Sequence, residues 1–385
     1  MANTLKFGNG EWYGKKDTIL AYNDLNSNYK PLPFDFIRGS SATVINKDGL
    51  IETVGSGEPR IDYKDNSKGA LLLEPSRGNL VKSSGDISTQ STYWLSNQGG
   101  TSVQNATTAP DGSNTASQIN TFGQQYGGIT QGSISVSNNE YTYSIYLKAK
   151  NGTPNIRLIF FDGVTFHSSD FTILSEWKRY DYKFTPVSGS FQIYITCPYV
   201  KTSFYAWGAQ VEQGSYATSY IPTQGGVVTR LADSCNQTPP DGVINSSEGV
   251  LFAEISALAK NGVNRYFRLY NDADNRIVIR FDSNNNISAF GESDTDTTSV
   301  ISSSATNILN FNKCAVVWSG TTLSFYVNGL LLGSESITNS FSLMGLDKFE
   351  FRDHFNSQLF YGKVKDLKLY NTALTDQELI ALTTI

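Results

Sequence analysis

"YTYSIYLKAK", Tyr141–Lys150, alternates side chains with a period of two. Tyr141, Tyr143, Ile145 and Leu147 share one face, while Tyr146, Lys148 and Lys150 point the other way, as in a strand with one buried face. The same alternation recurs in the flanking sequence, at Ile156, Leu158 and Phe160, at Tyr180, Tyr182 and Phe184, and at Phe191, Ile193 and Ile195. Turn formers separate these runs at short intervals. Strands with one covered face and short connections build antiparallel sandwiches, so residues 79–222 are expected to form one.

Composition extends this reading to the whole chain. Of 385 residues, 39% are hydrophobic and only 17% charged, with 21 Tyr and 22 Phe. Aromatic and β-branched side chains fill pleated surfaces, and Gly and Asn supply turns. The length suits two or three domains. From residue 249 onward, VLFAEI, RYFRLYND, RIVIRFDS, KCAVVWSG, LSFYVNG and KVKDLKLYN read as strands of a second sandwich, residues 249–385. Asn328-Gly329 supplies the positive φ angles of a type I′ hairpin. The one helix is expected in ALTDQELIAL, with Thr375 as N-cap and Glu378 closing a capping box. Residues 223–248, with paired glycines and paired prolines, read as a linker. Residues 1–78 mix short apolar patches with turns such as Lys47-Asp48-Gly49 and read as short strands and extended arms ordered against partner subunits. The expected fold class is therefore all-β: two antiparallel β-sandwiches (jelly rolls) in tandem after an irregular N-terminal attachment segment, with one short C-terminal helix.

Several function classes are disfavoured. The net charge is -5 and no basic stripe occurs, which argues against a nucleic-acid partner. No long uncharged apolar run is present, so no membrane insertion is expected, and MANTLKFGNGEW lacks the apolar run of a signal peptide. Cys197, Cys235 and Cys314 are far apart without C-x-x-C spacing, and are expected as buried small hydrophobes of a protein folded in a reducing cytoplasm.

Three groups of motifs carry resemblances. SSATVINKDGLIE (Ser40–Glu52), EPRIDY (Glu58–Tyr63) and ALLLEPSRGNL (Ala70–Leu80) resemble the N-terminal part of bacteriophage virion surface proteins of the tail- or head-fibre type. NLVKSSGDISTQSTYW (Asn79–Trp94), APDGSNTASQI (Ala109–Ile119) and WGAQVEQGSYATSYIPT (Trp207–Thr223) are similar to jelly-roll carbohydrate-binding modules. In that family the Trp-Gly-Ala-Gln-x-Glu strand closes the sandwich and the Tyr-Ser-Thr run leaves it. LSFYVNGLLLG (Leu323–Gly333) and GKVKDLKLYNTALTDQEL (Gly362–Leu379) are similar to laminin-G and concanavalin-like sandwiches. The resemblance implies a structural component of the phage virion, a fibre, spike or decoration protein. It would be made in the host cytoplasm, released by lysis and displayed at the virion surface. It would contact other virion proteins, assemble as a homo-oligomer (a trimer) and present host-glycan-binding domains for attachment. The alternatives are a virion-associated polysaccharide depolymerase or glycosidase, and a purely structural capsid or collar decoration.

Catalytic constellations are not evident. Glycosidases pair two carboxylates, about 5 Å apart in retaining enzymes. The nearest cluster, Glu292, Asp294 and Asp296 in GESDTDTTS, reads as a solvated loop. His167 and His354 stand beside no nucleophile motif, and Gly-x-Ser-x-Gly is absent. No catalytic residue and no cofactor is therefore expected, apart from a structural calcium. Asp111, Asp162, Asp272 and Asp282 are its candidates, with no spacing that selects a ligand set. Sugar binding needs flat apolar faces flanked by polar groups. In the middle sandwich the outward parity carries Tyr146, Arg157 and Tyr194, with Tyr126 on a loop beside them. Trp207 is read mainly as a core residue sharing one face with Tyr205 and Val211, and secondarily as a sugar platform. Arg268, Tyr270, Arg352 and His354 are a weaker grouping in the last sandwich.

Overall fold

The computed structural model describes residues 4–23, 30–64, 66–187, 189–237, 239, 242–294, 296–298, 300–303, 306–353, 355 and 357–385. Among the described residues the architecture is all-β with one short α-helix and a 3-10 turn at Phe341–Met344. In the middle region two five-stranded antiparallel sheets lie face to face. The first contains, in spatial order, Thr101–Thr107, Ala116–Phe122, Lys201–Gln213, Tyr141–Ala149 and Lys178–Phe184. The second contains Leu95–Asn97, Gly128–Val136, Gly189–Thr196, Asn155–Phe161 and Phe166–Thr172. The inward parities meet as expected: Tyr143, Ile145 and Leu147 from the first sheet pack with Ile156, Leu158, Phe160, Ile193 and Ile195 from the second. These side chains are fully or almost fully removed from water, and their burial is the main driving force for this unit.

In the C-terminal region Glu248–Ala257 pairs on one side with Asn312–Ser319 and on the other with Gly362–Tyr370. Asn312–Ser319 continues to Thr322–Val327 and then Leu330–Ser336, joined at Asn328-Gly329. Both turn residues have positive φ, 51° and 82°, as a type I′ hairpin requires. Arg265–Tyr270, Arg276–Phe281, Ile287–Ser293 and Lys348–Glu350 form the facing ladder. The helix spans Asp376–Thr383, and its capping box is complete: the Thr375 hydroxyl accepts from the Glu378 amide at 3.4 Å, and the Glu378 carboxylate accepts from the Thr375 amide at 2.9 Å. Thr375→Ala is expected to lower stability by about 1 kcal/mol, read as a shift of the denaturant midpoint at constant slope. The three cysteines are buried and free.

The N-terminal segment departs from its expected role as an arm ordered by partner subunits. Leu5–Gly8 pairs antiparallel with Gly362–Tyr370, from Leu5 opposite Leu369 to Gly8 opposite Asp366. Ala70–Leu73 pairs with the start of the same strand. Lys30–Ile37 pairs with Ser234–Gln237, which in turn pairs with Lys348–Glu350. Leu5, Phe7, Ile19, Phe34, Phe36 and Leu71 thus sit in the core of the C-terminal sandwich. Their partners in the C-terminal sandwich lie about 200 to 360 residues away, so no local period announced that pairing. The expected linker differs too. Val228–Arg230 pairs with Arg77–Asn79, and Ser234–Gln237 is a ladder strand.

A buried charge network ties these pieces together. Arg38, Arg60, Arg230, Glu74 and Asp233 are each at most 3% exposed. Arg60 binds Glu74 at 2.6 Å and also Asp233, Arg38 binds Asp233 at 3.2 Å, and Arg230 binds Glu74. Glu74 further accepts from the Ser219 amide at 2.8 Å and the Ser219 hydroxyl at 2.7 Å. Burial alone would raise the Glu74 pKa, but Arg230 and Arg60 outweigh it and hold the carboxyl well below its usual range. The Tyr-Ser-Thr run after Trp207 is therefore the seam between units, with Ser219 bonded to the N-terminal segment. The hairpin Ala42–Ile45/Ile51–Val54 closes over the middle sandwich from outside, where the Thr43 hydroxyl donates to the Tyr220 carbonyl at 2.5 Å.

Candidate functional site: an aromatic face on the middle sandwich

The outward face of the second sheet gathers aromatic rings around one ion pair. Asn155–Phe161 buries Ile156, Leu158 and Phe160, so Arg157, Ile159 and Phe161 take the other side. Arg157 stands opposite Asp170 and Phe161 opposite Phe166 on one neighbour, and Ile159 stands opposite Tyr194 on the other. Ile159 is only 1% exposed although it lies outside the sandwich core, so it is the floor of this face. Tyr126 comes from the loop before Gly128–Val136, where its amide donates to the Gln98 side chain at 3.0 Å and its carbonyl accepts from Asn97 at 2.5 Å.

The rings form a continuous patch. Tyr126 stacks on Phe166 at 5.3 Å and 10°, Phe161 stacks on Phe166 at 4.3 Å, and Tyr194 lies 6.5 Å from Phe166. Phe166 is 47% exposed. Arg157 grips Asp170 with two hydrogen bonds, 2.6 and 2.7 Å, and the Tyr194 hydroxyl donates to the Gln192 side chain. The Arg157 hydrogen bonds lower the Asp170 pKa and raise that of Arg157. Flat ring faces beside a fixed guanidinium–carboxylate pair and an amide can cover the C–H face of a pyranose and bond its hydroxyls.

Of the residues singled out from sequence, Tyr126, Arg157 and Tyr194 come together here. Tyr146 and Trp207 do not: they lie on the outer face of the first sheet, on the opposite side of the sandwich. Trp207 is 3% exposed and packs with Ile51, Ala116 and Tyr220, outside the sandwich core. Its ring lies 4.5 Å from Tyr220 and 5.8 Å from Tyr146, and its Nε1 donates to the Thr115 hydroxyl at 3.1 Å. The expectation that Tyr205, Trp207 and Val211 share one face is corrected by a β-bulge. Tyr146 pairs with Trp207 and Ser144 with Gln210, so Lys201–Gln213 carries one residue more than its partner between those pairs. Gly208, at φ 67°, absorbs it and reverses the parity. Phe161, Phe166 and Asp170 escaped the sequence reading. Parity relative to the buried Phe160 would have turned Phe161 outward, but which outer faces belong to one sheet is set only by strand order.

The other candidates resolve into structural roles. His167 Nε2 lies 3.0 Å from Asp162, whose carboxylate also accepts the amides of Val164 and Thr165 at 2.9 and 2.7 Å. Asp111, Asp272 and Asp282 likewise accept amides from their own turns. Among the described residues no three His, Cys, Asp or Glu side chains gather as a metal site. Arg268 and Arg352 flank Glu350 at 3.0 and 2.8 Å, and Arg268 lies 3.8 Å over the Tyr270 ring. His354 lies outside the described residues. In the expected loop at 292–296, Asp294 is exposed in a turn, while Glu292 pairs with Arg276 at 2.6 Å and Ser293 stands opposite Asp296.

Residues 254–380 match the family described as the Concanavalin A-like lectin/glucanases superfamily. The C-terminal sandwich is similar to that family. No curated protein matches the sequence. Among solved structures, the CBM40 of the Ruminococcus gnavus IT-sialidase bound to alpha2,3 sialyllactose is 15% identical, with 37% of this chain and 84% of that one covered at a TM-score of 0.32. The CBM22-1 xylan-binding domain of Paenibacillus barcinonensis Xyn10C is 13% identical, with 37% and 94% covered at 0.30. Domains LG4-5 of the mouse laminin alpha1 chain are 10% identical, with 67% and 93% covered at 0.25. These are distant similarities.

Proposed function

We propose that this protein is a non-enzymatic, glycan-binding surface component of a phage particle that uses the middle sandwich for host attachment. The observation that carries the glycan reading is the patch of Tyr126, Phe161, Phe166 and Tyr194 beside the Arg157–Asp170 pair. In the other sandwich, residues 254–380 are similar to the Concanavalin A-like lectin/glucanases superfamily, which is in keeping with a carbohydrate-directed protein. The virion setting rests on the resemblance of Ser40–Glu52, Glu58–Tyr63 and Ala70–Leu80 to fibre proteins. The non-enzymatic part rests on the sequence, which carries no paired-carboxylate or nucleophile motif. A closed oligomer would multiply weak sites through effective concentration.

The test is binding of labelled protein to host cells before and after mild periodate oxidation of their glycans, with wild type and Phe166→Ala compared. Periodate should abolish binding, and Phe166→Ala should weaken it about tenfold or more without moving the melting temperature. Binding that survives periodate, or that ignores Phe166→Ala, would overturn the assignment.

A further inference from the structure

A cavity of about 530 Å3 lies where three parts of the chain meet. Its walls come from the N-terminal segment (Asp62, Lys64, Glu74), from the middle sandwich and seam (Tyr146, Arg179, Tyr216), and from the C-terminal sandwich (Phe311, Lys363). The volume falls in the range of small-molecule sites. It is separate from the aromatic face, since Tyr146 and Arg179 belong to the first sheet of the sandwich and the face belongs to the second.

The charges of this cavity do not balance. Lys363 is matched by Asp62 at 2.6 Å. Glu74 is already consumed by Arg60 and Arg230. Arg179 donates only to neutral oxygens, the Thr218 carbonyl at 2.5 Å and the Ser144 hydroxyl at 2.9 Å. Its buried Nε has no hydrogen-bond partner among the described residues. Lys64 is exposed and makes no ion pair among the described residues. Among the described residues, two cations therefore face the cavity without a carboxylate within bridging distance, although Arg179 also acts electrostatically on the buried Glu212. Arg179 is also oriented: its guanidinium lies 5.5 Å over the Tyr146 ring, which is itself braced edge-on against Trp207 at 5.8 Å. A guanidinium held by an aromatic ring and two hydrogen bonds loses little freedom on gripping a planar anion. Tyr146 and Phe311 supply the apolar contact that a sugar ring needs.

We propose that this inter-unit cavity is a second ligand site, one that takes a carboxylated sugar unit of the hexuronate class. Arg179 and Lys64 receive the carboxylate, and Tyr146 packs on the ring. The proposal deepens the glycan-binding reading and rests on it for the sugar part of the ligand. A ligand seated here touches both sandwiches and the N-terminal segment, so occupancy braces the three units together.

The test is calorimetric titration of the full chain with glucuronate and with its neutral methyl ester. Glucuronate should bind and the methyl ester should bind at least tenfold more weakly. Raising salt should weaken the acid form only. Lys64→Gln, at an exposed position where the backbone amide still donates to Asp62 after the change, should weaken glucuronate binding about threefold to fivefold. Arg179→Gln should weaken it further, with the melting temperature recorded to separate a folding defect. Phe166→Ala should leave it unchanged. No glucuronate binding, equal binding of the ester, or indifference to Lys64→Gln would overturn the proposal. Loss of binding in Phe166→Ala would place the ligand on the aromatic face, which overturns this site while leaving the proposed function standing.

Discussion

Glu74→Ala is expected to destabilise the fold by about 3–5 kcal/mol, because it removes an anion from a network that water does not reach. Arg60 and Arg230 would lose their shared carboxylate, and Asp233 alone would face three buried guanidinium groups. The Ser219 amide and hydroxyl would lose their acceptor as well. Glu74→Gln keeps one acceptor oxygen and the shape, so it should cost less and remain measurable if the alanine variant fails to fold. Urea unfolding of the three proteins at neutral pH gives the comparison. Acid gives an independent reading. The Glu74 carboxyl is held well below its usual range, so its contribution is fully present above about pH 4.3, the ordinary glutamate value. It is lost as pH falls from there through the lowered folded value. Wild type should therefore lose stability more steeply below about pH 4 than Glu74→Gln does. Parallel acid curves, or an alanine variant as stable as wild type, would show that the network is not what joins the units.

Trp207→Ala is expected to cost about 3–5 kcal/mol, the usual range for removing a large buried aromatic side chain. The ring is 3% exposed and fills the space between the first sheet, the hairpin at Ile51 and the seam at Tyr220. Its loss leaves a cavity and strands the Thr115 hydroxyl contact. Since it lies on the opposite sheet from Phe166, binding at the aromatic face should persist at temperatures below the new transition. Melting curves and cell binding measured on the same samples decide the matter. An unchanged melting temperature with binding lost would make Trp207 a ligand platform instead.

The residues of the aromatic face were only half legible for a related reason. Parity relative to a buried neighbour is a property of adjacent residues, so Arg157 and Tyr194 were readable as outward-facing. Tyr126 was readable as a loop aromatic. That these belong with Phe166 and not with Tyr146 depends on the order of ten strands in two sheets. Side-chain alternation is the same whichever sheet a strand joins.

By itself the sequence determined the all-β class, the buried parities of the middle strands, the Asn328-Gly329 hairpin and the capped final helix. Each follows from residues a few positions apart, through the two-residue period of a strand, the positive φ that Gly and Asn accept, or a side chain reaching the next turn. Only the tertiary structure decided that the N-terminal segment completes the last sandwich, where Thr4 bonds the Leu369 carbonyl at 3.1 Å across 365 positions. Ladder hydrogen bonds join backbone groups that every residue carries, so a short strand does not announce its partner. It likewise decided that Arg60 and Glu74, ordinary surface residues by type, are buried against Asp233 and Arg230. A charge can be buried only where its counter-charge is, and that place exists only once the chain has folded.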